Sequence, residues 1–572
     1  MLNLDGKVYT VPGVYGTVEV IQLGSVSLPT FNVLLFAGSA RKGIPFNAAG
    51  KKGYEVLKGF SSVNAVREFY GVGELSKAMD YAKRGEAGVA FFVNLASLTN
   101  ALATIPDNDG APASTLDVYP KDQFWGAPGN DISITIASVS TVTTITIIPP
   151  KLTKFLTANA STSSKTIFLE DVEGLAVGQT VFITDGTASA PQQTSITSVD
   201  SLNNKITVAD DPTAAYATSG YARIYQEDPD NQQIGTFDNT TTSVDALVAW
   251  INAGNILNAD RKTYTGLFPT SFAKKALQNI TSATKAVSPV ATESGGGSYD
   301  TFAGSAPQLF EEFANFNGFR IRLLGVLSKT AAVHAVYKTL AQTLRTQQQS
   351  IQVITGCDLG DIALAESNAA HPIQRAKVLN SDDVILVGSG VDDKASYISS
   401  APMFAGMMSA KSVKRNFTWD IVNAIKVEKF FGEYNRDTET YKYVNAGVIV
   451  FGTGSTGFYI VQGLNTYQNH ANLWNENDDK TYLIQQRQIV DFVYEGYKNQ
   501  MELGVGADGF GPQSAAVKGI GILDRYLADG FITDRKMLKA YRDGNAVITN
   551  PQIKPLDATD FVGFKLSVLV EG

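Results

Sequence analysis

Residues 446–461 read Ala446-Gly-Val-Ile-Val-Phe-Gly-Thr-Gly-Ser-Thr-Gly-Phe-Tyr-Ile-Val461, an apolar run opening into G-x-G-x-x-G at Gly452, Gly454 and Gly457. A dinucleotide site needs a helix directly after those glycines, because the unbonded N–H groups of its first turn hold the pyrophosphate. The residues directly after Gly457 are instead Phe458-Tyr-Ile-Val461, aromatic and β-branched and therefore strand-forming. The stretch is read as strand, glycine-rich hairpin turn and returning strand, and no cofactor is expected from it.

The other chemical motifs dissolve on the same kind of test. Ser399-Ser-Ala-Pro-Met-Phe-Ala-Gly406 faintly echoes the nucleophile region of subtilisin-type proteases. A triad would need a histidine base and an orienting acid, and the upstream candidates His334 and His371 lack the glycine-rich setting of such sites. His334, His371 and His470 are too far apart to form a paired metal-ligand spacing, and the single Cys357 excludes an intrachain disulfide or a cysteine zinc cluster. His334 also falls off the apolar stripe of its helix and is expected in solvent. The acidic groups Asp107–Gly110 and Asn475–Asp479 do not continue into a calcium-binding loop. No catalytic, cofactor or metal residue is assigned, and the chain is expected not to be an enzyme.

Composition narrows the rest. The 572 residues are 44% hydrophobic and 18% charged, with a net charge of −8, the profile of a folded protein of several domains. Without a cluster of Lys and Arg, neither nucleic acid nor anionic membrane is an expected partner. The opening MLNLDGKVYTVPG has no signal-peptide pattern, and no run reaches the length of a membrane span.

Moving outward from the glycine hairpin, Phe31–Ala37, Val89–Val93, Ile351–Thr355 and Val384–Gly388 are continuous apolar runs suited to strands buried on both faces. Between the first two, Ser61 or Ser62 caps a helix carrying Val63, Val66 and Phe69, and a second helix carries Leu75, Met79 and Ala82 up to Gly85. Val333, Val336, Leu340 and Leu344 mark another helix, as do Val490, Val493, Tyr497 and Met501. Asp131–Ile136 and Thr141–Ile147 alternate as a hairpin. From Leu152 to Tyr225 the chain is rich in Thr, Ser, Val and Asn, with strands at Thr166–Leu169, Thr180–Thr184 and Lys205–Val208 and a turn at Asn203-Asn204. The expectation is an α+β or α/β multidomain protein: an N-terminal arm over 1–26, an α/β core over 27–150 and 226–395, an inserted all-β domain over 151–225, a C-terminal domain over 396–550 and a closing strand over 551–572.

Both ends alternate. Val14, Gly16, Val18 and Val20 follow Pro12-Gly13, and Phe564, Leu566, Val568 and Val570 lie beyond Pro551 and Pro555. Strands on such arms have backbone groups to satisfy, either within the chain or by extending a sheet in another copy, which can build open arrays. A structural assembly protein is the class this pattern favours.

A resemblance then covers most of the chain outside about 150–330. Pro12-Gly-Val-Tyr15, Phe36–Gly43, Phe60–Gly71, Gly126–Ile134, Ser400–Gly406, Asn445–Val450 and the closing Asn550-Pro551 with Asp560-Phe561 are similar, in order, to motifs of the contractile tail sheath proteins of myovirus-type bacteriophages and related injection machines. Ser409-Ala-Lys-Ser412 departs from the family's Arg-x-Asp. The resemblance implies a tail-sheath-like core whose copies stack as hexameric rings around a tail tube and contract to drive it through the host envelope. It implies the tube, baseplate and tail terminator proteins as partners, and a virion tail assembled in the host bacterial cytoplasm. Val14, Tyr15, Val18, Val20, Phe564, Leu566, Val568 and Val570 are the expected linking residues, and the inserted β-domain is expected to face outward. The competing expectation is a self-assembling capsid or surface-layer protein, and a more remote one is a subtilisin-like hydrolase.

Overall fold

A computed structural model describes residues 2–4, 7–9, 32–107, 114–186, 191–218, 221–254, 256–261, 277–278, 297–347, 349–388, 390–391, 397–424, 427–428, 439–454, 457–468, 480–502, 511–543 and 546–556. The expected arm strand at Val14–Ile21, the row Phe564–Val570, His470 and the Asn475–Asp479 group lie outside them. At the start of the chain, Leu2–Leu4 pairs antiparallel with Lys7–Tyr9.

The apolar runs form one seven-stranded sheet. Its order is Val448–Ile449, Val384–Val387, Gln352–Gly356, Ile321–Val326, Val33–Gly38, Ala90–Asn94 and Lys58–Phe60. Every pairing is parallel except that of Lys58–Phe60, which runs antiparallel at the edge. Parallel sheets are covered on both faces, and Val33–Gly38 divides its side chains accordingly. Leu34 and Phe36 enter a core with the helices Val63–Tyr70, Glu74–Arg84 and Tyr397–Ala410. Val33, Leu35 and Ala37 enter a second core with the helices Gly297–Asn317 and Ala331–Thr346. Ser62 is the cap of its helix, its hydroxyl accepting from the Ala65 N–H.

The expected α/β core over 27–150 and 226–395 is two units. Ala103–Pro106, Ser114–Pro120 and Leu257–Arg261 form one three-stranded sheet, and Ser133–Val139, Val142–Ile148 and Gln233–Asp238 form another. With the helix Val244–Ala253 they enclose a core of their own around Ile105, Leu116, Ile134, Ile145 and Leu247. A six-stranded antiparallel sheet of residues 150–155, 223–227, 180–184, 192–200, 205–208 and 166–168 is set into that unit, around Leu156, Val181, Ile183 and Ile224. Arg223 and Asp131, each 2% exposed, join the two by paired bonds of 2.8 Å from Nε and 2.6 Å from Nη2. Charges desolvated to that degree are tolerable only in such a bidentate match.

Residues on both sides of the boundary expected at 395/396 share one sheet, because Leu386 and Val387 pair with Val448 and Ile449. The helix Tyr397–Ala410 is also part of the central layers. Gly85 and Gly406 let it cross the helix Glu74–Arg84 with almost no gap: a Cβ on Gly406 would lie 2.2 Å from the Ala82 carbonyl oxygen.

Candidate assembly surface

Phe451–Gly454 and Gly457–Ile460 are antiparallel, and the Gly454–Gly457 pair closes their hairpin. Gly457 has φ +121°, a conformation closed to most side chains. The strand after the glycines offers no helix terminus, so the phosphate cradle is missing. Ser400 is buried in the helix Tyr397–Ala410, on the opposite face of the sheet from His334, so the two cannot act on one substrate.

His334 is a correction: it is fully buried rather than solvated. The buried arc of its helix comprises Val333, His334, Tyr337, Leu340, Ala341 and Leu344, wider than the single stripe. Its Nε2 lies 2.7 Å from the Ser328 carbonyl and 2.5 Å from Thr355 Oγ1, and burial pulls its pKa down to about 3. A ring held neutral in this way fills space and joins a loop to a strand. His371 caps the helix Pro372–Leu379, Nδ1 accepting from the Ile373 N–H at 3.3 Å, with Nε2 3.1 Å from the Tyr443 hydroxyl. Burial pushes the Cys357 thiol up to about 12. Asp107 is buried at an isolated bridge to Leu277. Among the described residues no group of three or more His, Cys, Asp or Glu is placed to hold a metal ion, and no helix is long and apolar enough to cross a membrane.

The feature suited to assembly is a long hairpin, Ile532–Asp543 with Ala546–Pro555. No third strand joins it among the described residues, so among them both of its edges lack a ladder partner. Its base is fixed: Ile532 and Ile553 pack with Val493, Ile522, Leu523 and Phe531 of the helices Ile484–Glu502 and Pro512–Ala528 and the turn after them. The Tyr497 hydroxyl donates to Thr549 Oγ1 at 3.0 Å. Lys536, Lys539, Arg542 and Lys554 are exposed along it, charges of the kind that blunt indiscriminate edge pairing.

This hairpin corrects the start of the closing strand expected at 551, since Pro551–Pro555 pair with Ile532–Met537. Pro551 lacks an N–H, and the register slips beside it between Met537 and Lys539. The sequence reading missed the hairpin because this slip and another at Ile532/Asp534 break the period-two pattern.

Beneath the hairpin unit runs a chain of buried charge. Arg345 reaches Asp382 at 3.2 Å and also meets Asp383. Arg487 reaches Asp382 at 3.1 Å and also meets Asp491, and Arg322 meets Glu495. Burial opposes ionisation of Asp491, but Arg487, Arg345 and Arg322 outweigh it and hold the carboxyl below its usual range. The same desolvation brings the Arg322 pKa down to about 10. These pairs tie the helix Ile484–Glu502, which packs against the base of the hairpin, to the central sheet.

No protein-family model matches the sequence, and no curated protein does. Solved structures do. A sheath tail protein from Listeria innocua aligns at 14% identity over 94% of this chain and 95% of its own, with a TM-score of 0.52. A sheath tail protein from Desulfitobacterium hafniense aligns at 13% identity over 96% of this chain and 100% of its own, with a TM-score of 0.48. The six-fold symmetrised baseplate of the anti-feeding prophage contains a chain that aligns at 15% identity over 50% of this chain and 76% of its own, with a TM-score of 0.35. At such identities the Listeria alignment speaks for the fold, and it spans nearly the whole of both chains: the chain has the fold of a tail sheath protein.

Proposed function

We propose that this protein is the structural subunit of a contractile tail sheath, polymerising as stacked hexameric rings around a tail tube and contracting to drive the tube through a host envelope. The observation that carries the reading is the fold likeness to a sheath tail protein, aligned over nearly the whole of both chains. The open-edged hairpin at residues 532–555, rigidly based on the core, supports it as a surface a neighbouring strand can extend. In this reading Val14, Tyr15, Val18 and Val20, and Phe564, Leu566, Val568 and Val570, lie on the linking strands. Contraction is a rigid-body rearrangement of subunits with the arms as hinges, the new contacts supplying the free energy without nucleotide.

The partners are other copies, the tube protein, and baseplate and tail terminator proteins. The site of action is the virion tail, built in the bacterial cytoplasm. The β-domain near residues 150–227 projects outward and is dispensable for polymerisation. Negative-stain microscopy of the purified protein, alone and with its tube protein, tests the reading. Striated tubes are expected; closed shells or flat lattices would favour a capsid or surface-layer protein instead.

A further inference from the structure

Ile421–Val422 is the outer strand of the three-stranded sheet whose other members are the two arms of the glycine hairpin. Ile421 stands opposite Tyr459, and Tyr459 stands opposite Gly452, which adds no side chain to that face. Trp419 lies flat on the Tyr459 ring, centroids 4.4 Å apart and planes 13° apart. Trp419 is 49% exposed and Ile421 61%, while Asp420 and Val422 are buried. Trp419 also holds φ +64°, a left-handed conformation that is strained for a bulky residue. Backbone strain thus accompanies an indole and an isoleucine turned outward on one face.

Lys411, Ser412, Lys414 and Arg415, two of them paired with Asp420 between Trp419 and Ile421, line an open depression. Lys411 and Arg415 share one carboxylate, Asp420, and Lys414 donates to the Asp529 carbonyl oxygen, so the segment carries more positive charge than it neutralises. The described chain ends beside it. The Leu556 N–H donates to the Phe531 carbonyl at 3.0 Å, and the Lys414 ammonium sits 4.8 Å from the centre of the Phe531 ring. Sixteen residues come after Leu556, DATDFVGFKLSVLVEG, with Asp557 and Asp560 first and the alternating Phe564, Leu566, Val568 and Val570 beyond them. At about 3.3 Å per residue they span roughly 50 Å when extended, ample to cross the depression and reach Trp419.

We propose that residues 557–572 dock on this surface of their own chain in the unassembled subunit. Asp557 and Asp560 lie against Lys411, Lys414 and Arg415, and the apolar row lies beside Ile421–Val422 over Trp419 and Tyr459. Tethering favours the chain's own segment over another copy's, because short flexible linkage gives an effective concentration of order millimolar. The docking does not depend on the sheath reading; within that reading it stores one linking strand until a neighbour takes it.

The test uses the full chain at high dilution with Ile421→Cys combined in turn with Phe564→Cys, Leu566→Cys, Val568→Cys and Val570→Cys. The native Cys357 is buried and does not compete. Mild oxidation is expected to give an intrachain disulfide at one or two of the four positions. The charge reversals Asp557→Lys and Asp560→Lys are expected to slow its formation at least tenfold, and Trp419→Ala to slow it several-fold with unchanged melting. Disulfides formed only between chains, none at all, equal yields at all four positions, or yields indifferent to the charge reversals would each overturn the proposal.

Discussion

A Cβ on Gly85 would come within 2.1 Å of the Met403 carbonyl oxygen, closer than any side-chain rearrangement could relieve, because the obstacle is backbone. Gly406→Ala meets the same limit from the other helix. It gains about 1 kcal/mol in helix propensity but forces the helices apart, and overpacking costs about 1–3 kcal/mol. The urea midpoint is expected to fall for Gly406→Ala and to hold or rise for Gly304→Ala, which would meet nothing within 4 Å.

Glu170 supplies a second residue-scale prediction. Burial foremost, with Asp171 adding and Arg41 and Lys154 opposing, raises its pKa to about 7. The folded state therefore keeps a proton that the unfolded state loses near pH 4.5, so stability falls as pH rises between those values. Glu170→Gln is expected to melt higher than the parent at pH 8 and alongside it at pH 4; equal melting at both would contradict the assignment. Neither residue's role could be read in sequence. Gly406 matters through a partner some 320 residues away, and Glu170 through groups brought near by folding, as His334 is buried by a second helix face that its local stripe did not reveal.

At the scale of elements, the strands of the central sheet were legible because burial on both faces demands uninterrupted apolar runs, as in Val33–Gly38 and Val384–Val387. The glycine hairpin was legible because Phe458–Ile460 cannot start the helix that a phosphate site needs. The hairpin at 532–555 was not, since two register slips erase its alternation and its outer face is charged. The ion-pair chain that anchors it makes a prediction about acid. Asp491 has a depressed folded pKa, so its contribution is present above the unfolded carboxylate value of about 4 and is lost as pH falls through the folded value. Asp491→Asn is expected to destabilise the protein at pH 7 and to flatten its acid-unfolding limb below about pH 4. Arg487→Ala strips the buried Asp491 of its ion-pair partner and leaves Asp382 with Arg345 alone, a loss of about 3–5 kcal/mol at neutral pH. Denaturant titrations across that pH range check both.

Along the chain one β-unit is inserted within another and both within an α/β layer, and only the innermost coincides with a shift of composition to Thr, Ser and Val. A change of composition marks an insertion when the insert builds a separate core from different residue types. The unit around Ile105, Ile134 and Leu247 uses the same apolar residues as the central layer and left no such mark. In the proposed reading assembly belongs to this largest scale, because it depends there on the ends of the chain meeting surfaces of other copies. Electron microscopy of the full chain beside a chain lacking residues 1–20 tests that claim most directly. The full chain is expected to form striated helical tubes and the shortened chain none; tubes of the same form from both would contradict the account.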